Sequence, residues 1–537
     1  MLLYYPLILI SILGYGFFAS KKLIKLQNFN LGYQGIVGLF FLLLISYFST
    51  QFVAHNQLFN FLVLLIGLTF FIFYYSHLNI KRDNIKLLII IISLSLVFIF
   101  VGKNHDDFHY YHFPYIITLT EYPHPIGMGN LNHGFKTHSS IFLLSSLFSL
   151  PGAKYNLFHL APAYILIFSN FILLKLILKK EIYKNDIFIT YLSLGSLAFI
   201  NIFFYRLGEH GTDRSAMILI VILLVNYIYF LNKKKKIIDN NFLKLFTIIF
   251  TIIISLKAFY VIYIILFLPL IIHVYKKTKS INLLFNTNLF YCFVLFTFVI
   301  LTNFFNTGCL LFPESRTCFF NMSWSLNLET VENLRLHYET WAKAGAGPGY
   351  QTIASEKLNY VSGFNWLGNW IDRYFFNKVS DFIYALFFMS IIFVTLFKSS
   401  KSQIIYKRNY RLIFFLLLVI LTIWFSLHPT LRYGGYHLFF FIMFIPLSFF
   451  LEKFNKDIKN LDHKILVIVM ITAFVFIGRN ASRLVKEYKI YSYNPFINVN
   501  YPIKEGKGGS FRIQKRIEKI INEKKAKKIY KNRYMFF

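Results

Sequence analysis

The feature that most constrains this chain is a series of apolar runs that recur from end to end, Leu87–Gly102 and Leu412–Leu427 among them. Each approaches the about 20 residues that a helix needs to cross the hydrocarbon core of a bilayer. Only helices and closed barrels satisfy their backbone groups in lipid, and runs of this length favour helices. Composition agrees, because 57% of the 537 residues are hydrophobic and only 15% are charged. The 66 Phe and 37 Tyr could not all be hidden in one or two water-soluble cores. The sequence therefore predicts an all-α, polytopic transmembrane helical bundle. It excludes a soluble enzyme, a secreted disulfide scaffold and a disordered tail protein.

The 56 Lys and Arg against 23 Asp and Glu give a net charge of +33, which in a soluble chain would suggest nucleic acid. Here the bases sit in short clusters between apolar runs, such as Lys179/Lys180/Lys184 and Lys276/Lys277/Lys279. That is the positive-inside pattern, which orients the chain and excludes nucleic acid as its partner. Threading on this pattern predicts about fourteen spans. They include Leu2–Ala19, Leu87–Gly102, Tyr155–Leu178, Ile187–Phe204, Leu245–Leu256 and Ala258–Tyr275. Leu2–Ala19 lacks a basic start and a small-residue cleavage site, so it reads as a retained helix. Residues 1–86 form a first group of transmembrane helices and residues 87–303 a second module. Residues 304–380 form a large outer loop, residues 381–478 the last helices and residues 479–537 a basic tail.

Charge also decides one ambiguous stretch. Leu245–Tyr275 is too long for one helix and short for two, and basic clusters flank both ends. Both ends therefore belong in the cytoplasm, and the stretch must turn back near Lys257 at the outer surface. The far end is less constrained. Ile465–Gly478 has 14 residues, marginal for a span, and the basic tail beyond it argues against an outer location.

Acids are scarce, so their placement carries information. The first outer loop reads His105-Asp106-Asp107-Phe108-His109-Tyr110-Tyr111-His112. Tyr and His suit the headgroup layer, but an acid pair gains nothing from anionic lipid. Such a pair can act as a carboxylate base or help hold a divalent cation. The second outer loop places Glu209, His210 and Asp213 between Arg206 and Arg214. Carboxylates from two loops on one side can converge on one cation, Mg or Mn, and on a phosphate-bearing substrate; no cofactor is required by the sequence. Arg432, Lys257 and Arg214 are cations at the outer mouth, suited to clamp a lipid-linked phosphate. Cys309 and Cys318 fall in the third loop, on the oxidising side, and are expected to form a disulfide. Trp324, Trp341, Trp366 and Trp370 follow and are candidates for sugar stacking or for an interfacial belt.

This layout resembles the GT-C class of membrane glycosyltransferases, which place an acidic pair in the first large external loop and often a second acidic motif in the next. The string His105-Asp106-Asp107-Phe108…Tyr110-Tyr111-His112-Phe113-Pro114-Tyr115 resembles a family of bacterial polytopic membrane proteins with an HDDFxYYHFPY-like motif. Gly211-Thr212-Asp213, the Gly308-Cys309…Cys318 loop and Pro429…Arg432-Tyr433-Gly434 are similar to that family as well. The resemblance implies a GT-C-like catalytic module over residues 87–303 and a C-terminal segment outside; the lysine-rich end, Lys515–Arg533, departs from it.

The function so implied is transfer of a sugar from a polyprenyl-phosphate-linked donor to a surface glycan or lipid acceptor. It would take place at the outer, periplasmic face of a bacterial inner membrane, with membrane lipid around the site. Asp106 or Asp107 would be the base. Glu209, Asp213, His105 and His109 would position a metal or the acceptor, and Arg432, Lys257 and Arg214 would bind phosphate. The nearest rival is an O-antigen polymerase or ligase, for which Arg335 and His337 become the candidates. A lipid-linked sugar transporter or flippase ranks third, because ionisable residues are nearly absent from within the spans.

Overall fold

The computed structural model describes residues 2–27, 30–75, 81–100, 107–153, 156–179, 186–209, 212–232, 239–347, 356–399, 410–454, 460–491, 509–523, 525–530 and 533–537. For residues 99, 109, 208, 209, 232, 487, 490, 491, 509–512 and 530 the description stops at the backbone. Helix dominates throughout, and the one sheet among the described residues is a two-stranded ribbon, Ala526–Tyr530 against Arg533–Phe536.

Among the described residues, eleven helices are long and apolar enough to cross a membrane. The expected count of about fourteen is not reached by this measure. The other three expected spans are helical but short. Ile187–Phe203 and Asn240–Leu256 have 17 residues each, and Arg82–Ser95 has 14 before a turn at Leu96 separates it from Val97–Phe100. Apolar composition continues through such breaks, so hydropathy alone overstates helix length. The opposite error occurs at the far end. The 14-residue apolar stretch lies within one helix of 31 residues, Leu461–Tyr491, whose polar second half continues the same backbone pattern.

Burial divides the helices into an interior and a rim. In Leu160–Leu178 and Thr212–Leu231, 89% of the apolar window is buried, against 28% in Gln57–Tyr75, Thr287–Thr307 and Tyr410–Leu427. The rim helices expose large apolar side chains, including Phe293, Phe388 and Phe474. Water would not tolerate so much exposed apolar surface, whereas lipid matches it. The chain is a helical membrane protein by these criteria.

The first three helices, Tyr4–Phe18, Leu31–Ser49 and Gln57–Tyr75, approach one another through glycine. A Cβ at Gly38 would collide with the Ile12 carbonyl oxygen, and one at Gly14 with that of Gly67. Small residues permit such close backbone contact, which is a main source of helix association in lipid. Tyr15 donates to the Val63 carbonyl across the same seam at 2.7 Å.

The stretch around Lys257 reverses direction as expected. Helix Asn240–Leu256 ends at Lys257, which is extended (φ −153°, ψ 108°), and a 3-10 segment, Ala258–Leu266, follows. The Phe230 ring meets both Phe242 (4.1 Å between centroids) and His273 (5.3 Å), and Phe250 meets Phe267 (5.1 Å). Residues before and after Lys257 thus lie side by side.

The C-terminal tail packs on the end of the bundle that carries the loops expected outside. Phe536 N–H donates to Ile126 O at 2.8 Å, and Ile126 N–H to Tyr534 O at 2.9 Å. Arg533 donates to the backbone of His124 and Gln51 and to the Gln51 side chain. Ile513 and Ile517 of helix Gly509–Asn522 are buried beneath it.

Gly38→Ala should therefore destabilise the protein by about 1–3 kcal/mol, the usual cost of overpacking. Gly478→Ala, where no atom lies within 4 Å of the added carbon, should leave stability unchanged or raise it. Thermal unfolding of the two variants in detergent checks the difference.

Candidate functional site

Four side chains from distant parts of the sequence meet at the end of the bundle. Asp213 is the second residue of helix Thr212–Asn232, where the helix dipole favours a carboxylate. Its Oδ1 lies 2.8 Å from Lys257 Nζ, and its Oδ2 accepts from Arg432 Nε at 3.0 Å. Arg432 Nη2 is 3.6 Å from Asp107 Oδ2. The Asp213 side chain is only 8% exposed, against 28% for Lys257 and 40% for Arg432. Two acids and two bases thus balance within one cluster, which is how buried charge is tolerated.

Local structure aims each group. Lys257 sits at the hairpin turn, where the Ser139 hydroxyl donates to the Leu256 carbonyl at 2.7 Å. Arg432 lies in a 3-10 turn, Leu431–Tyr433, between two membrane helices. Three aromatic side chains fasten that turn: Trp370 Nε1 donates to Pro429 O (2.7 Å), Trp424 Nε1 donates to Thr430 O (2.9 Å) and the Tyr374 hydroxyl accepts from Leu431 N–H (2.8 Å). The turn then reverses at Gly434, whose φ of +124° suits glycine alone. Asp107 precedes the π-helical segment Phe108–His112.

The cations also rest on aromatic faces. Lys257 Nζ is 4.4 Å from the Tyr433 ring centre, and the Arg432 guanidinium carbon is 5.6 Å from that of Trp341. Such contacts hold a cation in place while leaving hydrogen-bond donors for a ligand. Burial pulls the Lys257 ammonium down, but Asp213 outweighs this and holds its pKa above the ordinary lysine range. His428 and His133, in contrast, are held at about 4 by burial, so both are neutral at pH 7.

Three members of the cluster, Asp107, Lys257 and Arg432, line a cavity of about 380 Å³, and Asp213 lies behind the two cations. Asp107, Lys257, His337, Trp341, His428 and Arg432 are among its lining, and Ile254, Leu256, Phe259 and Val299 supply an apolar side. The volume lies within the about 300–1,000 Å³ of small-molecule sites.

Among the expected site residues, Asp107, Asp213, Lys257 and Arg432 come together. Arg214 does not join them: its Nη1 donates to the Arg206 carbonyl at 2.9 Å, and it is not among the cavity's lining residues. His105 and Asp106 lie outside the described residues, as do the side chains of His109 and Glu209. Cys309 and Cys318 form the expected disulfide. Trp341 reaches the cavity, whereas Trp366 and Trp370 are buried in the packing behind the Arg432 turn. Tyr338, three residues before Trp341 on helix Leu328–Lys343, also lines the cavity. Only the i, i+3 spacing of the two aromatics could have pointed to it.

The donor set does not fit a divalent ion at Asp213. Both its oxygens face cationic side chains, and a metal would have to sit against Lys257 and Arg432. Among the described residues, no three His, Cys, Asp or Glu side chains gather into a metal-binding group. Asp213 instead positions two cations.

Asp213→Asn takes the carboxylate from Lys257 and leaves Arg432 with the longer contact to Asp107. Breaking a fully buried pair costs about 3–5 kcal/mol; water at Lys257 and Arg432 should reduce this to about 1–3 kcal/mol. Adding Lys257→Met to Asp213→Asn should recover part of the lost thermal stability in detergent, and no recovery would mean that the pair is not coupled. The neutral histidines set a pH dependence. Below pH 6.5 the unfolded chain takes up protons that His428 and His133 refuse until about pH 4, so stability falls as pH drops through that window. His428→Asn should flatten the fall of melting temperature between pH 7 and pH 5.

Comparison with known proteins adds a family but no activity. No curated protein and no solved structure matches the chain. A family model matches residues 1–440, and the chain belongs to the family described as a domain of unknown function (DUF8201).

Proposed function

We propose that this protein is an integral membrane glycosyltransferase of GT-C type, using a polyprenyl-phosphate-linked sugar at the outer leaflet of a bacterial inner membrane. The observation that carries the reading is the convergence of Asp107, Lys257 and Arg432 on one cavity with an apolar side, with Asp213 holding the two cations from behind. Cations held against aromatic rings suit a phosphate, the apolar side suits the first isoprene units, and Trp341 and Tyr338 offer faces for a sugar ring.

The reaction then follows from charge. Lys257 and Arg432 neutralise the phosphate of the donor, and Asp213 keeps both in position. Asp107 removes the proton from an acceptor hydroxyl, whose oxygen attacks the anomeric carbon. The bond from that carbon to the phosphate oxygen breaks, its electron pair passes to the phosphate, and the anomeric configuration inverts. The preformed cations stabilise the negative charge as it develops on the leaving phosphate. Asp106 remains the neighbouring candidate for the base.

His337 lies in the same cavity, which is the one observation favouring a polymerase or ligase reading. Arg335, its companion in that reading, instead pairs with Glu332 at 3.1 Å on an exposed helix face.

A general base typically contributes about 10²–10⁴-fold, so Asp107→Asn or Asp106→Asn should reduce transfer from a polyprenyl-phosphate sugar at least 100-fold. Protein level in the membrane should stay normal. If neither variant loses transfer, the assignment is wrong; if His337→Ala alone abolishes product, the ligase reading takes its place.

A further inference from the structure

A second cavity, of about 450 Å³, adjoins the first and shares Tyr110 and His133 with it as lining. Its floor is the irregular stretch Gly129–His133 with Lys136, and its other wall is the C-terminal helix, through Ile513 and Arg516. The two asparagines of the floor are occupied with structure. Asn132 Nδ2 donates to Tyr110 O at 2.8 Å and its Oδ1 accepts from Gly134 N–H, while Asn130 Nδ2 donates to Trp324 O at 3.0 Å. They shape the floor and leave recognition to Tyr110, Lys136 and Arg516.

Those three have a definite chemistry. Tyr110 is 44% exposed and presents a ring at the junction of the two cavities, three residues after Asp107. Arg516 gives one donor to the Leu131 carbonyl at 3.1 Å, which fixes the guanidinium in the groove. Among the described residues, neither Lys136 nor Arg516 has a carboxylate within 4.0 Å, in contrast to Lys257 and Arg432. Burial also draws the Lys136 ammonium below its ordinary range, a cost that a bound anion would remove.

We propose that this second cavity is the acceptor subsite and that the acceptor is a glycan carrying an anionic group, carboxylate or phosphate, held by Lys136 and Arg516 with a sugar ring against Tyr110. The assignment rests on the glycosyltransferase reading for the word acceptor, but anion binding in the groove stands without it. The tail helix is then a component of the site, because it delivers Arg516 and closes one wall.

The test uses the full chain in phosphatidylcholine nanodiscs, which add no net lipid charge. Three probes are titrated by a binding assay: oligogalacturonides, which carry carboxylates, glycerol-phosphate oligomers, which carry phosphodiesters, and neutral gluco-oligosaccharides. The expected result is binding of an anionic probe over the neutral one. Lys136→Gln and Arg516→Gln should each weaken that binding about tenfold or more, as loss of a charge-assisted hydrogen bond does. Arg516→Lys, which keeps the charge if the Gln variant unfolds the tail, should retain most of the binding. Preference between the two anionic probes identifies the source of the charge. Equal binding of neutral and anionic probes, no binding of either anion, or binding unchanged in both Gln variants would each overturn the subsite. Loss of anion binding in these variants, together with full transfer by Asp107→Asn and Asp106→Asn, would retain the site and reject the catalytic reading instead.

Discussion

The carboxylate of Asp213 is the point on which this end of the molecule depends. It is nearly sealed from water, and an isolated carboxylate there would be strongly disfavoured. Lys257 and Arg432 offset that cost, each with one oxygen to itself, and the start of helix Thr212–Asn232 adds its dipole. The interaction also works in reverse. A hairpin turn at residue 257 and a 3-10 turn at residue 432 are both connections between apolar helices, and Asp213 ties them together alongside ring contacts such as Phe259 with His428 (5.4 Å). One acid thus joins three parts of the chain and orients the two cations that face the cavity.

That arrangement explains why the site was partly legible in the sequence. In a chain with so few acids, an aspartate beside a membrane helix must have a partner, and the only partners on the same side are the sparse outer-loop bases. Lys257 could be placed there because basic clusters on both flanks force the turn. The choice between Arg214 and Arg432 could not be made. Arg214 is adjacent to Asp213, but successive residues on a helix point about 100° apart, so it addresses Arg206 while Asp213 addresses Lys257 and Arg432. The same limit underlies the expectation that Asp213 positions a metal or the acceptor. Sequence shows which charges share a face but not that two cations already occupy both oxygens.

The fold was legible for a related reason and failed at related places. Apolar runs and basic clusters are properties of segments, so spans and turns emerge from them. Helix ends are properties of single residues. Nothing in the apolar run Leu87–Gly102 marks the turn at Leu96, and nothing in the polar sequence after Gly478 forbids the helix from continuing to Tyr491. Trp366 and Trp370 illustrate the same point for function. As tryptophans beside a membrane they suggested sugar contact, yet Trp370 donates to Pro429 and so helps to build the turn that presents Arg432.

The balance of charge in the cluster bears on how a substrate would engage it. Among the described residues, Asp107 and Asp213 are matched by Lys257 and Arg432, so a phosphate competes with carboxylates already in place. Asp213, buried and doubly engaged, is the harder of the two to displace. Asp107 holds Arg432 by a longer contact of 3.6 Å and remains 29% exposed, so it is the one to yield. On the proposed reading, a donor phosphate arriving at Arg432 would compete with this contact at the moment a base is needed. Donor binding and activation of the acceptor would then be coupled through a single arginine. The weaker contact, not the stronger one, would set the order of events.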